Sequence, residues 1–207
     1  MYYNGNVALD FYRRAAGVPR SLGVLPAAFN PPTLAHLALA RAALGVVDEV
    51  LFVLPRQFPH KQYEGATFEE RLEMLEAATS REPRFSIAAS AYGLFAEIAD
   101  ECREAYGETP RLLFICGRDA AERIVAWDYG EPRAFQKMIA RFELLVAARE
   151  GHYAPPAEIR HRVCRLEVDD DIELISASGV RDRLRQGAPW EHLVPPEIVP
   201  RVRAISP

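Results

Sequence analysis

The chain has 207 residues, 49% of them hydrophobic and 26% charged, with a net charge of −4 and a pI near 5.8. This length and composition suit a single globular domain with a substantial core and exclude the disordered and collagenous classes. The acidic balance argues against a general nucleic-acid binder, which needs surplus Lys and Arg to neutralise phosphates, but leaves room for a small anionic ligand held by a few local cations.

Residues 1–5 carry neither the basic nor the apolar region of a secretory signal. No stretch approaches the roughly 18 apolar residues of a membrane span. Residues 6–17 place Val7, Ala8, Phe11, Tyr12 and Ala15 at helical spacing, which predicts a docked helical extension over residues 1–20. Cys102, Cys116 and Cys164 lie far apart and form neither a CxxC pair nor an even disulfide set, so a cytoplasmic setting is expected.

Short apolar, β-rich runs follow at 22–28, 49–54, 84–89, 111–116, 142–148 and 164–168. Helical patterns lie between most of them, at 33–46, 67–80, 92–106, 119–126, 132–140, 177–187 and 196–204. Alternation of this kind predicts an α/β fold: a doubly wound, mostly parallel, Rossmann-like sheet, buried on both faces, with a C-terminal helical part over 175–207. No repeat or linker divides the chain, so residues 1–207 are read as one domain. Pro pairs at 31–32, 155–156 and 195–196 mark helix entrances.

In such sheets ligands sit beyond the carboxyl ends of the strands, and the chemistry-bearing clusters fall there. The first is Phe29-Asn30-Pro31-Pro32-Thr33-Leu34-Ala35-His36, after the first buried strand. A helix N-terminus offers unpaired N–H groups and a partial positive charge to phosphate. Thr33 and His36, three residues apart, share its first turn and can follow charge developing on a reacting phosphorus. They can equally be an ordinary N-cap and a surface histidine.

The second cluster, Pro55 to Lys61, brings a cation to the end of the second buried strand, unless Lys61 is simply solvated. Thr67 and Glu70 just beyond it form a capping box. The third, Cys116-Gly117-Arg118-Asp119, allows close backbone approach at Gly117 and a ribose contact, or a plain N-cap, at Asp119. The fourth is Ile175-Ser176-Ala177-Ser178-Gly179-Val180-Arg181, a second anion-accepting helix start with Ser176 as the cap and Ser178 and Arg181 on one face. Asp169-Asp170-Asp171 reads as a solvated turn rather than a metal site, and no resident metal is expected. Neither GxxxxGK[ST] nor GxGxxG occurs.

In this order the clusters resemble the HxGH nucleotidylyltransferase superfamily, most closely the bacterial nicotinate-mononucleotide adenylyltransferases. The resemblance covers most of residues 22–200. It is carried by Phe29-Asn30-Pro31 with Thr33-x-x-His36, Pro59-His60-Lys61, Arg71-Leu72-Glu73-Met74, Gly117-x-Asp119 with Trp127, Leu145 to Arg149, and Ile175-Ser176-x-Ser178-x-x-Arg181 with Leu193-Val194-Pro195. It implies transfer of AMP from ATP, accompanied by Mg2+, to the 5′-phosphate of a mononucleotide, with release of pyrophosphate and without a covalent enzyme intermediate. It further implies that Thr33, His36, Lys61 and Arg181 are catalytic. Phe29, Asn30, Gly117, Asp119, Ile175, Ser176 and Ser178 would bind ATP, and Ala27, Ala28, Arg71, Tyr92 and Trp127 the acceptor.

The sequence departs from the family pattern at several points. Thr33 stands where bacterial members carry the first His, and Ala35 replaces the motif Gly. Pro26-Ala27-Ala28 replaces a Gly-Gly-Thr/Ser run, Ala91 to Phe95 a Ser-Tyr-Thr segment, and no His follows Trp127-Asp128-Tyr129. Other phosphate-ester acceptors, CTP in place of ATP, and a non-catalytic nucleotide-binding module therefore stay open. A fragment of a class I aminoacyl-tRNA synthetase is disfavoured by the short chain and the lack of a KMSKS-like sequence. The oligomeric state is not fixed, and a homo-oligomer stays open.

Overall fold

The computed structural model describes residues 8–57, 65–126, 134–147, 153–168 and 175–205. Lys61, Trp127, Arg149 and Asp169 to Asp171 lie outside the described residues. The sheet contains β1 (Asp10–Arg13), β2 (Ser21–Pro26), β3 (Glu49–Pro55), β4 (Phe85–Ser90), β5 (Arg111–Gly117), β6 (Glu143–Ala147) and β7 (Val163–Leu166). Their spatial order is β1-β4-β3-β2-β5-β6-β7. All neighbours pair in parallel except β1, which is antiparallel to β4.

The helices are α1 (Leu34–Ala43), α2 (Phe68–Thr79), α3 (Phe95–Tyr106), α4 (Arg118–Ala126), α5 (Ala134–Ile139), α6 (Ala177–Arg185) and α7 (Val199–Ile205). They flank the sheet on both faces. One core joins Leu25, Phe52 and Leu54 to α1, α2, α6 and α7, and the other joins Val24, Phe114 and Val146 to α3, α4 and α5. Every residue of β3 and β4 is buried, as continuous apolar runs between two helical layers require. A Cβ at Gly23 of β2 would lie 3.0 Å from Ile115 Cδ1 and 3.1 Å from Val47 Cγ2, so a side chain there would require those neighbours to shift. Among the described residues no helix is long and apolar enough to cross a membrane.

Local capping fixes where helices begin. Thr67 Oγ1 accepts from the Glu70 N–H and the Glu70 carboxylate accepts from the Thr67 N–H, so α2 starts with the capping box read in the sequence. The Pro pairs at 155–156 and 195–196 open short 3-10 turns, Ala157–Arg162 and Pro196–Ile198.

The N-terminal segment corrects an expectation. Residues 10–13 of the proposed helical extension form an edge strand, alternating exposed and half-buried side chains rather than presenting a helical stripe. The cause is tertiary. The free edge of β4 offers main-chain partners, Phe11 packs edge-on against Tyr106 at 5.8 Å, and Arg13 donates to Phe85 O and Thr79 Oγ1.

Candidate active site

From β2 the chain moves through β3 to β4 in one direction, and from β5 through β6 to β7 in the other. The topological switch point thus lies between the carboxyl ends of β2 and β5, where a crevice for a ligand opens. The residues directly beyond those ends are 27–36 and 117–119.

The turn from β2 into α1 is tightly built. Phe29 is buried and holds a positive φ of 48°, an uncommon conformation for a residue with a side chain. Its ring meets the His36 ring edge-on at 5.0 Å and Phe52 at 5.6 Å. Asn30 is buried, and the backbone of Gly65 lies against its side chain. A Cβ at Gly65 would come within 2.7 Å of Asn30 Nδ2, and Gly65 has φ +114°.

Thr33 caps α1 in extended conformation and is fully buried. Its backbone N–H donates to His36 Nδ1 at 3.0 Å, and its Oγ1 lies 2.8 Å from the same nitrogen. A nitrogen that accepts from a backbone N–H carries no proton, so the neutral ring is protonated at Nε2. His36 retains some exposed surface, yet its ring is enclosed closely enough that burial pushes its pKa down to about 4. The side chain is therefore an uncharged Nε2–H donor at neutral pH. The hydroxyl of Thr33 is turned onto that ring, so Thr33 orients the donor.

Two arginines from other elements close on the same turn. Arg181 of α6 donates from NH1 to the Asn30 carbonyl at 2.6 Å. Arg71 of α2 is buried and donates from NH1 to the Ala28 carbonyl at 2.9 Å and from Nε to the Thr67 carbonyl at 3.3 Å. Ser176 caps α6, accepting from the Gly179 N–H at 3.0 Å, and lies 3.1 Å from the hydroxyl of exposed Ser178. Ile175 precedes this cap and is half-buried. The structure thus gathers Ala27 to His36, Arg71 and the start of α6 around one turn.

Gly117 ends β5 with open space on its Cβ side, as a close ligand approach requires. Asp119 is exposed in the first turn of α4. Tyr92 lies beyond β4, its carbonyl accepting from Ser90 Oγ at 2.7 Å. Sequence reasoning missed Gly65 and Phe68, whose ring has the Arg71 guanidinium 5.7 Å from its centroid. The place of Gly65 depends on a contact with Asn30 that no local pattern announces, whereas Phe68 and Arg71 are three apart on α2 and meet through helical spacing. Among the described residues no group of three or more His, Cys, Asp or Glu is placed to hold a metal ion.

Residues 24–183 match the cytidylyltransferase-like family model. The chain belongs to this family. It is a nucleotidyltransferase with a Rossmann-like fold. A Bordetella pertussis protein named probable nicotinate-nucleotide adenylyltransferase is 34% identical over 190 residues, covering 86% of this chain and 92% of its own length. A Thermus thermophilus protein of the same name is 33% identical, with 84% and 91% covered. The solved structure of Plasmodium falciparum nicotinic acid mononucleotide adenylyltransferase complexed with NaAD superposes with a TM-score of 0.68 at 16% identity. That superposition covers 89% of this chain and 95% of the other and bears on the fold. The family resemblance read in the sequence is therefore sound.

Proposed function

We propose that this nucleotidyltransferase joins nicotinate mononucleotide to the AMP portion of ATP, giving deamido-NAD and pyrophosphate. An oxygen of the acceptor's 5′-phosphate attacks the α-phosphorus of ATP in line. A new phosphoanhydride forms as the bond to the β-phosphate breaks, and the electron pair leaves with pyrophosphate. In such a transfer the protein's contribution is positioning and charge stabilisation.

The observation that carries this reading is the Thr33–His36 unit at the switch point. His36 donates Nε2–H to an oxygen of the α- or β-phosphate, where charge grows in the transition state. Thr33 positions His36. Arg181 and the N-terminus of α6, with Ser176 and Ser178, hold the outer phosphates, and Lys61 supplies a further cation. Phe29 and Asn30 shape the turn against which ATP lies, and Gly117, Asp119 and Ile175 border the adenosine. Ala27, Ala28, Tyr92 and Trp127 border the acceptor, and buried Arg71 acts on it by fixing the Ala28 carbonyl. Mg2+ enters with the triphosphate as part of the substrate. The names of the relatives, shared over most of the chain, support nicotinate mononucleotide as acceptor, and a cytoplasmic setting suits that metabolism.

The test is pyrophosphate release with ATP or CTP against nicotinate mononucleotide, nicotinamide mononucleotide, phosphopantetheine and FMN, with products identified by mass. Deamido-NAD formed faster than any other product is the expected result. ATP binding with no pyrophosphate from any acceptor would instead reveal a binding module.

A further inference from the structure

Between β4 and α3 the chain turns through residues 90–94, which include Tyr92. The Gln57 N–H donates to the Ala91 carbonyl at 3.2 Å, and a Cβ on Gly93 would sit 3.6 Å from Pro55, so the turn leaves β4 along the end of β3. Phe95, which opens α3, stacks on Phe114 of β5 at 4.6 Å. Because β2 lies between β3 and β5, the turn and the start of α3 flank the switch point. They do so on the sheet face opposite α1 and α6.

Two glutamates of α3 hold this turn. Glu101 is 4% exposed; its Oε1 accepts from the Ala91 N–H at 3.4 Å, and the Ser90 hydroxyl lies beside its carboxyl. Ser90 is itself fully buried and donates to the Tyr92 carbonyl at 2.7 Å. Glu97 accepts from the Leu94 N–H, one half of a capping box whose other half is missing because Leu94, at the N-cap, has no side-chain acceptor. Ser90, Ala91, Tyr92 and Leu94 are thus tied, directly or through one hydroxyl, to two carboxyl groups one helical turn apart.

The hold is incomplete. Glu97 Oε2 and Glu101 Oε2 are buried and have no hydrogen-bond partner among the described residues. Burial pushes both carboxyls up from their ordinary range, and the charge of Glu97 adds to the rise at Glu101. A half-satisfied buried carboxyl lowers stability relative to an apolar side chain of similar size, so packing alone does not account for Glu101.

We infer that Glu101, supported by Glu97, is a positioning residue for acceptor recognition: it fixes residues 90–94 in the conformation that presents Tyr92 to the acceptor. The inference rests on the adenylyl-transfer reading above, with Tyr92 on the acceptor side. It gives a buried, incompletely paired carboxyl a purpose that stability does not supply.

The experiment is steady-state pyrophosphate release by the full chain, varying ATP and nicotinate mononucleotide in turn, beside thermal unfolding of each variant. Glu101→Met removes the carboxyl and nearly keeps its volume. It should raise the KM for nicotinate mononucleotide about fivefold or more, leave the KM for ATP within about twofold, and melt no lower than wild type. Glu101→Gln, whose carbonyl oxygen still accepts from Ala91, should keep the acceptor KM within about twofold of wild type. Glu97→Met, at a half-buried position, covers poor folding of Glu101→Met and should raise the same KM by about two- to fivefold. A residue that only packs would lower the melting midpoint and leave the acceptor KM alone. That result in an active chain overturns this inference alone, as do ATP and acceptor KM rising together or a Gln variant as impaired as the Met variant. A wild type that releases no pyrophosphate with any mononucleotide overturns the adenylyl-transfer reading, and this inference with it.

Discussion

The backbone N–H of Thr33 donates to His36 Nδ1 at 3.0 Å, so one turn of helix both starts at Thr33 and decides which nitrogen of His36 carries the proton. This is a capping box with a histidine in the place usually taken by Glu or Gln. Helix chemistry and site chemistry, alternatives when only the sequence is read, are here a single interaction.

The tautomer is directly observable. Nitrogen-resolved NMR of His36 should show a protonated Nε2 and an unprotonated Nδ1 at pH 7, with titration near pH 4 because burial disfavours the cation. An imidazolium at pH 6, or the Nδ1–H form, would remove the neutral-donor assignment.

Stability should carry the same signature. The folded pKa of His36, about 4, lies below its ordinary value of 6.5, so as pH falls through that interval the unfolded chain takes up a proton that the folded chain refuses. The contribution is fully present above pH 6.5 and is lost on acidification towards pH 4. Urea midpoints at pH 7.5 and pH 5 should therefore fall further for wild type than for His36→Gln, whose amide does not titrate. The other histidines cancel in that difference.

Replacing Thr33 with Val removes the hydroxyl while keeping the shape. The lost cap should cost about 1 kcal/mol in stability, and turnover should fall roughly tenfold as the imidazole loses one of its two anchors. Thr33→Ser should behave like wild type in both. Equal turnover in the Val and Ser variants would show that the hydroxyl does not orient the ring.

Gly65 combines φ +114° with a Cβ position 2.7 Å from Asn30 Nδ2. Gly65→Ala should destabilise the chain by about 1–3 kcal/mol, from strain and from displacement of a buried side chain. Thermal unfolding measures this, and an unchanged midpoint would show that the turn tolerates the methyl group.

What could be read from the sequence follows the range of the forces involved. The buried runs that became β2 to β7 and the caps at Thr33, Thr67 and Ser176 depend on neighbours within a few residues, and their positions agree with the structure closely. Strand β1 could not be read, because Arg13 finds its partners 72 and 66 residues away and the helical spacing of Phe11 and Tyr12 is coincidental. The same applies within the site. His36 and Arg181 stood out by residue type and place, whereas the contact of Arg181 with the Asn30 carbonyl and the insertion of Gly65 against Asn30 arise only when distant segments meet.

The most direct test of the account is turnover of His36→Ala with ATP and nicotinate mononucleotide, followed by pyrophosphate release beside ATP affinity by calorimetry. Loss of one donor to developing phosphate charge predicts turnover lower by about 100- to 1,000-fold with ATP affinity nearly unchanged. Near-normal turnover in a folded His36→Ala chain would contradict it.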